Sequence, residues 1–561
     1  MNKRIRPVLG LAFLALLALL SCSSSPKEEF TPLDYSQEDV IQNEVASITQ
    51  LLSSQSVKAL WRASLLKEHA GARNSSAADQ VFQLCGEQVA EEYHQAVEAG
   101  NHLEARRLLD SLEAVGFSSD PAIFSQKASL EEKILSATLG YGVQATPDVP
   151  VSKYISGTVT VWVDLGIHVE RGMGYANRAI GSGFFIDRRG YIITNYHVIQ
   201  PEVDPKYEGY SRVYIKLSSD PDTRIPAKVV GWDPLLDLAL LKAEIDAPHV
   251  FSLGSSQELD VGDKIFAIGS PAGLEWTITS GIVSAEGRRL LSMGPVMQID
   301  AAINSGNSGG PIIDEAGSVQ AIAFAGMLDF QGLNFAIPVE YLKLQLPLLA
   351  SGGLREHGWI GAFGKDNEPD QFAPTPKGLL VQYVMPGGSS HRSGLQEGDI
   401  ITAVNGVPVD GIDSFHNILK SMTAETILRL SVYTPQDATS GEEAAGRERI
   451  CVVYLDKRPR QPGYEIYQRD TIGNAFLPIL GMKLTPASDR NKKSYTVSQL
   501  LRGGVADESG FSVHDPVDIL KVELSKEKDV LYAQLYTKKR KNGYFEVGIA
   551  VGSPLDSPFY F

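Results

Sequence analysis

The 561-residue sequence predicts a mainly β protein whose first part is α-helical. Its 52 glycines and 30 prolines supply the many turns that a β-rich architecture needs. From Gly157 onward the hydrophobic period changes towards two and β-branched residues accumulate, as in the run up to Val163. Before that point, over residues 40–138, apolar residues recur at helical spacing. A hydrophobic share of 43% with 21% charged residues is ordinary for globular domains and argues against whole-chain disorder.

The charge and the cysteine count argue against two classes of protein. A formal net charge of −16 argues against a nucleic-acid-binding surface or a footprint on anionic lipid. Three cysteines, at positions 22, 85 and 451, cannot build a disulfide framework. One bridge between Cys85 and Cys451 is conceivable but would join distant domains. Both are therefore predicted to be packing residues.

The N-terminus has the pattern of an export signal. A short basic start precedes the 13-residue apolar run Val8–Leu20, which is shorter than the roughly 20 residues needed to span a bilayer. Cys22 lies just beyond this run, in a pattern that resembles a bacterial lipobox, where the cysteine is lipidated and becomes the mature N-terminus. An ordinary signal peptide with an incidental cysteine is the alternative. We predict a signal peptide over residues 1–21 and a lipidated polar tether over 22–40, so that lipid alone holds the chain at a membrane.

Composition shifts divide the rest of the chain into four segments. The predicted limits are 41–138 for a helical segment, 150–350 for a β domain, 355–458 for a first small module and 474–561 for a second. The helical segment contains one Ala-rich hairpin, with a turn at Gly100-Asn101, that weakly resembles a tetratricopeptide unit. Because solenoids need about three repeats to bury a core, a helical spacer or an oligomerisation segment is favoured instead.

The two small modules form an internal repeat. Residues 384–395 align with residues 500–511 at a constant offset of 116. Each copy contains an apolar strand, a Gly-Gly turn, a short helix, and a glycine followed by an apolar residue. His514 stands where the first copy has Gly398, so the second copy is degenerate.

Three segments of the β domain carry the residues that acyl transfer needs. His197 ends a predicted β-hairpin, Asp237 enters an otherwise apolar strand, and Ser308 is bounded by glycines. A serine hydroxyl is a weak nucleophile until an imidazole removes its proton, and the imidazole needs a buried carboxylate to fix its tautomer. Glycines beside the serine let backbone N–H groups point at a developing oxyanion. Each segment alone could be structural, but the three together predict a Ser-His-Asp triad.

Taken together, these motifs resemble the HtrA (DegP-like) family of serine proteases of the cell envelope. The chain order His197, Asp237, Ser308 is that of chymotrypsin-type barrels and not that of α/β-hydrolases. The resemblance covers roughly residues 155–457 well, and the last hundred residues poorly. The matching segments are residues 194–198, 237–239, 269–273, 279–284, 306–311 and 333–338.

The resemblance implies a chymotrypsin-like double β-barrel followed by one clear and one degenerate PDZ-like α+β module. It implies that Ser308 is the nucleophile, that His197 is the general base and then the acid, and that Asp237 orients the imidazole. The oxyanion hole is expected in the backbone of Gly306-Asn307-Ser308, with the N–H groups of Gly306 and Ser308 as donors. This chemistry requires no metal and no organic cofactor.

The resemblance also implies sites for peptides. PDZ modules add an extended peptide to a sheet edge and hold its terminal carboxylate with backbone amides. The loop that does this is expected at Trp359-Ile360-Gly361-Ala362 in the first module. Its counterpart in the second module is Leu480-Gly481-Met482, where a core strand with a turn glycine is the favoured interpretation. Loops near Ile303 and Leu333 are expected to shape the primary specificity pocket.

The family usually cuts unfolded or misfolded proteins, so the resemblance implies an envelope endopeptidase that faces the periplasm or the cell exterior. Its expected partners are unfolded polypeptides and, at the first PDZ module, C-terminal peptides. Only Leu165–Ile180 is available for a loop that is often long in the family, and the helical segment 41–138 is foreign to its layout. The family's trimer is therefore not carried over. A chaperone or scaffold that does not cleave is the competing hypothesis, whereas an esterase would need another fold.

Overall fold

The computed structural model describes residues 37–70, 75–118, 121–140, 143, 150–270, 276–304, 306–326, 332–369, 375–435, 446–488, 494–540 and 544–561. The predicted signal peptide, Cys22 and most of the tether lie outside these residues. No described helix combines the length with the apolar character that a bilayer crossing requires. The chain divides into a smaller unit made mainly of Gln461–Leu555 and a larger unit that contains the helical segment, the β domain, the first small module and Asp556–Phe561.

Five α-helices form the described N-terminal segment. They are α1 (Glu38–Leu52), α2 (Ser56–His69), α3 (Ser75–Glu98), α4 (His102–Ala114) and α5 (Lys127–Ala137). The predicted turn between α3 and α4 is confirmed, because Gly100 has a φ of 70° and the Asn101 side chain accepts the backbone N–H of Glu104 at the start of α4.

These helices pack on the first small module. The Trp61 indole N–H donates to the Val452 carbonyl at 2.9 Å, and its ring stacks on Tyr454 with centroids 5.6 Å apart. The Arg107 guanidinium donates to the Glu425 carbonyl at 2.6 Å. The segment is therefore docked on its neighbour and does not stand apart as a spacer, because its apolar face finds a partner there.

Two closed antiparallel barrels make the β domain. The first consists of β1 (Thr158–Glu170), β2 (Met173–Asp187), β3 (Tyr191–Thr194), β4 (Arg212–Leu217), β5 (Asp220–Asp233) and β6 (Leu238–Ala243), and helix α6 (Tyr196–Val203) follows β3. The second consists of β7 (Lys264–Gly269), β8 (Thr277–Leu291), β9 (Gly294–Ile299), β10 (Pro311–Ile313), β11 (Val319–Gly326) and β12 (Asn334–Pro338), with α7 (Val339–Ala350) after it. The first barrel closes because β5 pairs with both β4 and β6. The predicted double barrel is confirmed.

The segment Leu165–Ile180 forms the far end of the β1–β2 hairpin. Its ladder runs to the pair Glu170 and Met173, beyond the body of the barrel. Ile167 and Val169 on this extension are 74% and 65% exposed. The short segment is therefore an ordered hairpin with apolar residues in solvent.

The first small module contains an antiparallel sheet of five principal strands, with the short strand β18 paired to β17, and two helices. Short strands β13 (Gly353–Leu354) and β14 (Gly358–Trp359) precede it. The module comprises β15 (Ala362–Asn367), β16 (Gly378–Val384), α8 (Ser389–Arg392), β17 (Ile400–Val404), β18 (Val407–Pro408), α9 (Ile412–Lys420), β19 (Ile427–Thr434), β20 (Arg447–Tyr454) and β21 (Asp456–Lys457), which pairs with β14. The sheet order is β15-β16-β17-β19-β20, so β15 is an edge strand.

A buried polar contact joins the first barrel to this module. His357 Nε2 lies 2.8 Å from Asp233 Oδ2, and both side chains are almost fully buried. The Arg355 guanidinium donates to Gln345 of α7 at 2.8 Å. Residues of the barrels and of the module also belong to one apolar cluster. The β domain and the first module thus share a continuous core.

The buried imidazole of His416, on α9, predicts that acid destabilises the larger unit. Burial lowers the pKa of this side chain to about 3, and the charges of Lys420 and Arg458 act in the same direction. An unfolded chain has a histidine pKa of about 6.5 and therefore binds more protons below that pH. The contribution of neutral His416 to stability is fully present above about pH 6.5 and is lost as the pH falls towards the folded-state value. At pH 5 the expected loss is about 2 kcal/mol.

Denaturant titrations of the full chain at pH 7.5 and pH 5 measure this effect. The wild-type chain is expected to lose about 2 kcal/mol more of its free energy of unfolding than the His416→Gln variant, which has no group to protonate there. Equal losses in the two proteins would contradict the assignment.

The smaller unit is a second five-stranded sheet. It comprises α10 (Pro462–Arg469), α11 (Ile472–Leu480), β22 (Met482–Pro486), β23 (Ser494–Leu500), α12 (Val505–Glu508), β24 (Pro516–Leu524), β25 (Val530–Arg540) and β26 (Tyr544–Pro554). The short helices α8 and α12 begin 116 residues apart, as do β16 and β23, which confirms the internal repeat. Where the repeat would place a counterpart of α9, the second copy has strand β25.

The second module differs from its predicted limits of 474–561 at both ends. Its start moves to Gln461, because the Gly463 N–H donates to the Leu555 carbonyl of the same unit at 2.8 Å. Its end moves to Leu555, because Asp556–Phe561 pair with a strand of the first module. The secondary-structure propensity of a short segment does not indicate which sheet the segment joins, so the sequence could not place these limits.

Both cysteines in the described residues are buried and free. Burial raises the pKa of the Cys85 thiol to about 12 and that of the Cys451 thiol to about 11. The prediction that they are packing residues is confirmed.

Candidate active site

His197 and Asp237 form a hydrogen-bonded pair in the first barrel. His197 lies in the first turn of α6, and its Nδ1 is 2.7 Å from Asp237 Oδ2. The backbone N–H of His197 donates to Asp237 Oδ1 at 2.8 Å, so the carboxylate holds His197 through two hydrogen bonds. The Asp237 side chain is 9% exposed, whereas that of His197 is 45% exposed. A buried carboxylate behind a solvent-facing imidazole is what a general base requires.

The backbone of Asp237 is held in an uncommon conformation. Its φ of 53° lies in the left-handed region, where aspartate and asparagine occur more often than other non-glycine residues. Its carbonyl accepts the Asn195 side-chain amide at 2.9 Å and the Tyr196 N–H at 3.2 Å. These contacts with the segment that precedes His197 compensate a strain of about 1–3 kcal/mol. They also fix the position of the carboxylate relative to the imidazole.

Ser308 lies in the turn that precedes β10 of the second barrel. Its Oγ is half-buried and donates to the Phe324 carbonyl at 3.3 Å. The next residue, Gly309, packs against the strand end that leads to His197, and a Cβ there would lie 2.9 Å from the Asn195 nitrogen and overlap Thr194. Because Gly309 also has a φ of 85°, only glycine fits. The fold thus brings the Ser308 turn beside the His197 segment of the other barrel.

Two backbone amides around Ser308 have no acceptor among the described residues. The N–H of Asn307 donates to the Asn304 carbonyl at 3.0 Å, and that of Gly309 donates to the Ala323 carbonyl at 2.9 Å. Within the described part of the chain, the N–H groups of Gly306 and Ser308 have no acceptor. Of the predicted oxyanion segment, the Asn307 amide is therefore committed to the turn, and the other two remain as donors.

Ser182 of β2 ties this turn to the first barrel, and the sequence patterns did not single it out. Its Oγ donates to the Gly306 carbonyl at 2.6 Å and accepts the Ser270 N–H at 3.0 Å. Its backbone N–H donates to the Ser308 carbonyl at 2.8 Å. A signal was present, because Ser182 stands between Gly181 and a second glycine inside a strand, which marks a close backbone approach.

Replacing Ser182 with alanine is expected to lower kcat by about tenfold. Removal of one oxyanion-hole donor lowers kcat by about 10²–10³-fold, and a loosened turn is expected to lose only part of that stabilisation of the oxyanion. The KM for a peptide substrate is expected to change little. Ser252→Ala is the matched control, because that serine is also buried and hydrogen-bonded in this domain but contacts Ser318 instead. If the two variants had the same kcat, Ser182 would have no positioning role.

The residues expected at the specificity pocket lie in different surroundings. Ile303 is 6% exposed and packs in the core of the second barrel with Ala323 and Ala336. Leu333 is half-buried. The carbonyl of Ala302 accepts the Thr279 hydroxyl at 3.0 Å. Ile303 therefore supports the segment before the Ser308 turn from within the core.

The predicted carboxylate loop of the first PDZ-like module is built around the Ile360 carbonyl. This carbonyl accepts the Ser390 N–H and the Ser389 hydroxyl, each at 3.2 Å, and also the Ser390 hydroxyl. Gly361 follows with a φ of 80°, and the chain enters edge strand β15 at Ala362. The carbonyl is thus turned towards α8.

The corresponding loop of the second module lacks half of such a site. Gly481 ends α11 with a φ of 81°, and its carbonyl accepts the Leu501 N–H at 2.7 Å. At the position along the chain that α9 has in the first module, the second module has β25, which lies within the sheet between β24 and β26. The interpretation of Leu480-Gly481-Met482 as part of the module's core is favoured.

Comparisons with known proteins match these segments in order. A trypsin-like peptidase domain family matches residues 181–322, and a PDZ domain family matches residues 353–432. A TP0546 family PDZ domain matches residues 463–555. The helical segment matches a domain of unknown function, DUF8517, over residues 39–134.

Several curated proteins are similar to the chain. A probable periplasmic serine endoprotease DegP-like of Marinomonas sp. (strain MWYL1) is 33% identical over 355 residues, which cover 61% of this chain and 71% of that protein. A second protein of the same description, from Hahella chejuensis (strain KCTC 2396), is 39% identical over 238 residues, 41% of this chain and 49% of its own length. The putative serine protease HhoA of Synechocystis sp. is 36% identical over 272 residues, 45% of this chain and 66% of that protein. The chain thus spans from about half to 71% of these relatives.

Two solved structures align with the chain. The HtrA-type protease AlgW with tripeptide is 26% identical, with a TM-score of 0.45 and coverage of 55% of this chain and 96% of that one. The serine endoprotease from Yersinia pestis is 26% identical, with a TM-score of 0.40 and coverage of 56% and 100%. The family rests on the sequence matches: at 33% identity over 71% of the Marinomonas protein, and with peptidase and PDZ families matched in succession, the chain belongs to the HtrA (DegP-like) family of serine endoproteases with PDZ domains.

Proposed function

We propose that this serine endopeptidase acts in the bacterial cell envelope and hydrolyses peptide bonds of unfolded or misfolded proteins, with Ser308, His197 and Asp237 as its catalytic residues. The observation that carries the proposal is the His197–Asp237 pair, held by two hydrogen bonds beside a glycine-bounded serine turn in which two amides have no acceptor among the described residues. The relatives' names support the reaction and the periplasmic location. Lipidation of Cys22 would hold the mature chain at a membrane.

We propose that these residues act in turn during acyl transfer. Ser308 Oγ leaves the Phe324 carbonyl, attacks the scissile carbonyl carbon and passes its proton to His197 Nε2. Asp237, hydrogen-bonded to Nδ1, stabilises the imidazolium that forms. The oxyanion accepts the N–H groups of Gly306 and Ser308. His197 then protonates the leaving amine, and water, activated by the same imidazole, releases the acyl group from Ser308.

The modules outside the barrels supply binding. The edge strand β15 and the loop Trp359-Ile360-Gly361-Ala362 suit the capture of an extended C-terminal peptide. The apolar residues Ile167 and Val169, exposed on the β1–β2 hairpin, support self-association into a homo-oligomer. Light scattering of the purified chain measures the number of subunits in this oligomer.

The proposal is tested with a purified chain that lacks the lipid signal. This chain is incubated with one substrate protein, once in its folded form and once in its denatured form. Fragments are expected from the denatured form only, and Ser308→Ala is the non-cleaving control. If neither chain produced fragments while both kept the denatured protein from aggregating, the chaperone alternative would replace the protease proposal. Cleavage of small esters without any cleavage of polypeptide would also contradict it.

A further inference from the structure

The last residues of the chain extend the sheet of the first PDZ module. The Phe561 N–H donates to the Ala362 carbonyl at 3.0 Å, and the Ala362 N–H donates back to Phe561 at 2.9 Å. Two residues along, the Gly364 N–H donates to the Phe559 carbonyl at 3.1 Å. The pairing is antiparallel and adds a strand to the edge formed by β15. The chain end lies against Ala362, the last residue of the predicted carboxylate loop.

The side chains of this tail fill an apolar groove. Phe561 is 1% exposed and belongs to the apolar cluster that the barrels and the module share. Its ring lies 5.2 Å from that of Phe415 on α9, in edge-to-face geometry. Tyr560 is also 1% exposed and packs on Phe363 of β15, with centroids 5.3 Å apart. The groove between β15 and α9 therefore holds the Phe561 ring, and the Tyr560 ring is buried against β15.

Polar contacts anchor the start of the tail. Arg458, whose side chain is 4% exposed, donates to Asp556 at 2.6 Å. The Ser292 hydroxyl, between β8 and β9 of the second barrel, donates to the same carboxylate at 2.7 Å. The Arg289 guanidinium lies 5.8 Å from the centre of the Phe559 ring. The tail is thus held by the module and by the barrel that carries Ser308.

We propose that Asp556–Phe561 is an intramolecular ligand of the first PDZ module. The tail occupies the groove that a free C-terminal peptide would use, and such a peptide must displace it to bind. This inference rests on the proposed peptide-binding role of that module. The buried rings define the competing class: polypeptides that end in phenylalanine with a second aromatic residue just before it.

Tethering makes the tail a strong competitor. A ligand on a short linker has an effective concentration of the order of millimolar. A free peptide with the same contacts therefore binds the intact chain much more weakly than it binds a chain whose groove is empty. We expect at least a tenfold difference in Kd.

Fluorescence anisotropy with a labelled Asp-Ser-Pro-Phe-Tyr-Phe peptide tests the proposal on the full chain and on a chain that ends at Asp556. The truncated chain is expected to bind at least tenfold more tightly. Phe561→Ala, in an otherwise complete chain, is expected to bind the peptide more tightly than wild type, and it serves if truncation impairs folding. Pro558→Ala is the matched control within the tail, because Pro558 is only half-buried; its Kd is expected to equal that of the wild type.

The outcomes separate the two proposals. Equal Kd values for the intact and truncated chains and for Phe561→Ala would overturn the self-ligand and leave peptide binding by the module standing. If folded truncated and Phe561→Ala chains both failed to bind, the peptide-binding role itself would be overturned, and the self-ligand with it. A wild-type Kd that changed with protein concentration would show exchange of tails between copies, which contradicts an intramolecular ligand.

Discussion

Replacing Ser308 with alanine is expected to lower kcat by about 10⁶-fold, the loss that follows removal of the nucleophile in serine proteases. The hydroxyl is the atom that attacks, and no neighbouring group replaces it. In the described residues its Oγ makes one hydrogen bond, to the Phe324 carbonyl, so the free energy of unfolding is expected to change by only about 1 kcal/mol. Binding of denatured protein is expected to persist. Cleavage rates of a denatured protein and thermal unfolding of both chains measure these effects.

Ser318→Ala is the control for this substitution. Ser318 is a half-buried serine of the same barrel that makes one side-chain hydrogen bond, to Ser252. Its kcat is expected to match that of the wild type. If Ser308→Ala cleaved at an undiminished rate, the chemistry would lie elsewhere in the chain.

Replacing Asp237 with asparagine is expected to lower kcat by about 10⁴-fold near neutral pH. The amide that takes the place of Oδ2 would present an N–H to His197 Nδ1 and favour the tautomer whose Nε2 carries the proton. Such an imidazole cannot accept the proton of Ser308. Asparagine also tolerates the φ of 53°, so the local backbone is expected to stay in place. Single-turnover kinetics with a peptide substrate isolate the acylation step.

The chain offers a matched control in a second aspartate–histidine pair. Asp233 lies 2.8 Å from His357 and, like Asp237, is buried, but this pair joins the first barrel to the PDZ module. Burial opposes ionisation of Asp233, yet the charge and hydrogen bond of His357 hold the pKa of its carboxyl below the usual range. Asp233→Asn is expected to lower Tm and leave kcat at moderate temperature unchanged. An Asp237→Asn chain with wild-type kcat would refute the orienting role.

Local patterns were sufficient to predict the β domain, the repeat and the candidate triad, whereas the double barrel was implied by the family resemblance. An acid next to an apolar strand and a glycine-bounded serine are short-range features, and their chemical meaning does not depend on distant residues; the structure places Asp237 in the turn before β6 and not within the strand. The structure adds that His197 and Asp237 are paired and that the Ser308 turn lies beside them. Their catalytic roles stay a prediction until the variants are measured.

Local patterns could not predict that Ser182 positions the Ser308 turn. Its role depends on Gly306, which lies 124 positions along the chain, and on the way two barrels meet. The glycines on either side of it marked a close approach without naming the partner. The same limit applies to the helical segment, whose contact with Val452 and Tyr454 crosses about four hundred positions.

The sequence by itself determined the fold class, the order of the modules and the residue types of the candidate site. The hydrophobic period and the placement of glycines depend only on residues that are close together in the chain. Only the tertiary structure decided where Asp556–Phe561 lie. Backbone hydrogen-bonding groups are alike in every residue, so an open sheet edge accepts any extended segment. Asp556–Phe561 join the first sheet because an aromatic groove lies between β15 and α9, two elements that are not adjacent in the chain. The described part of the second module has no such helix.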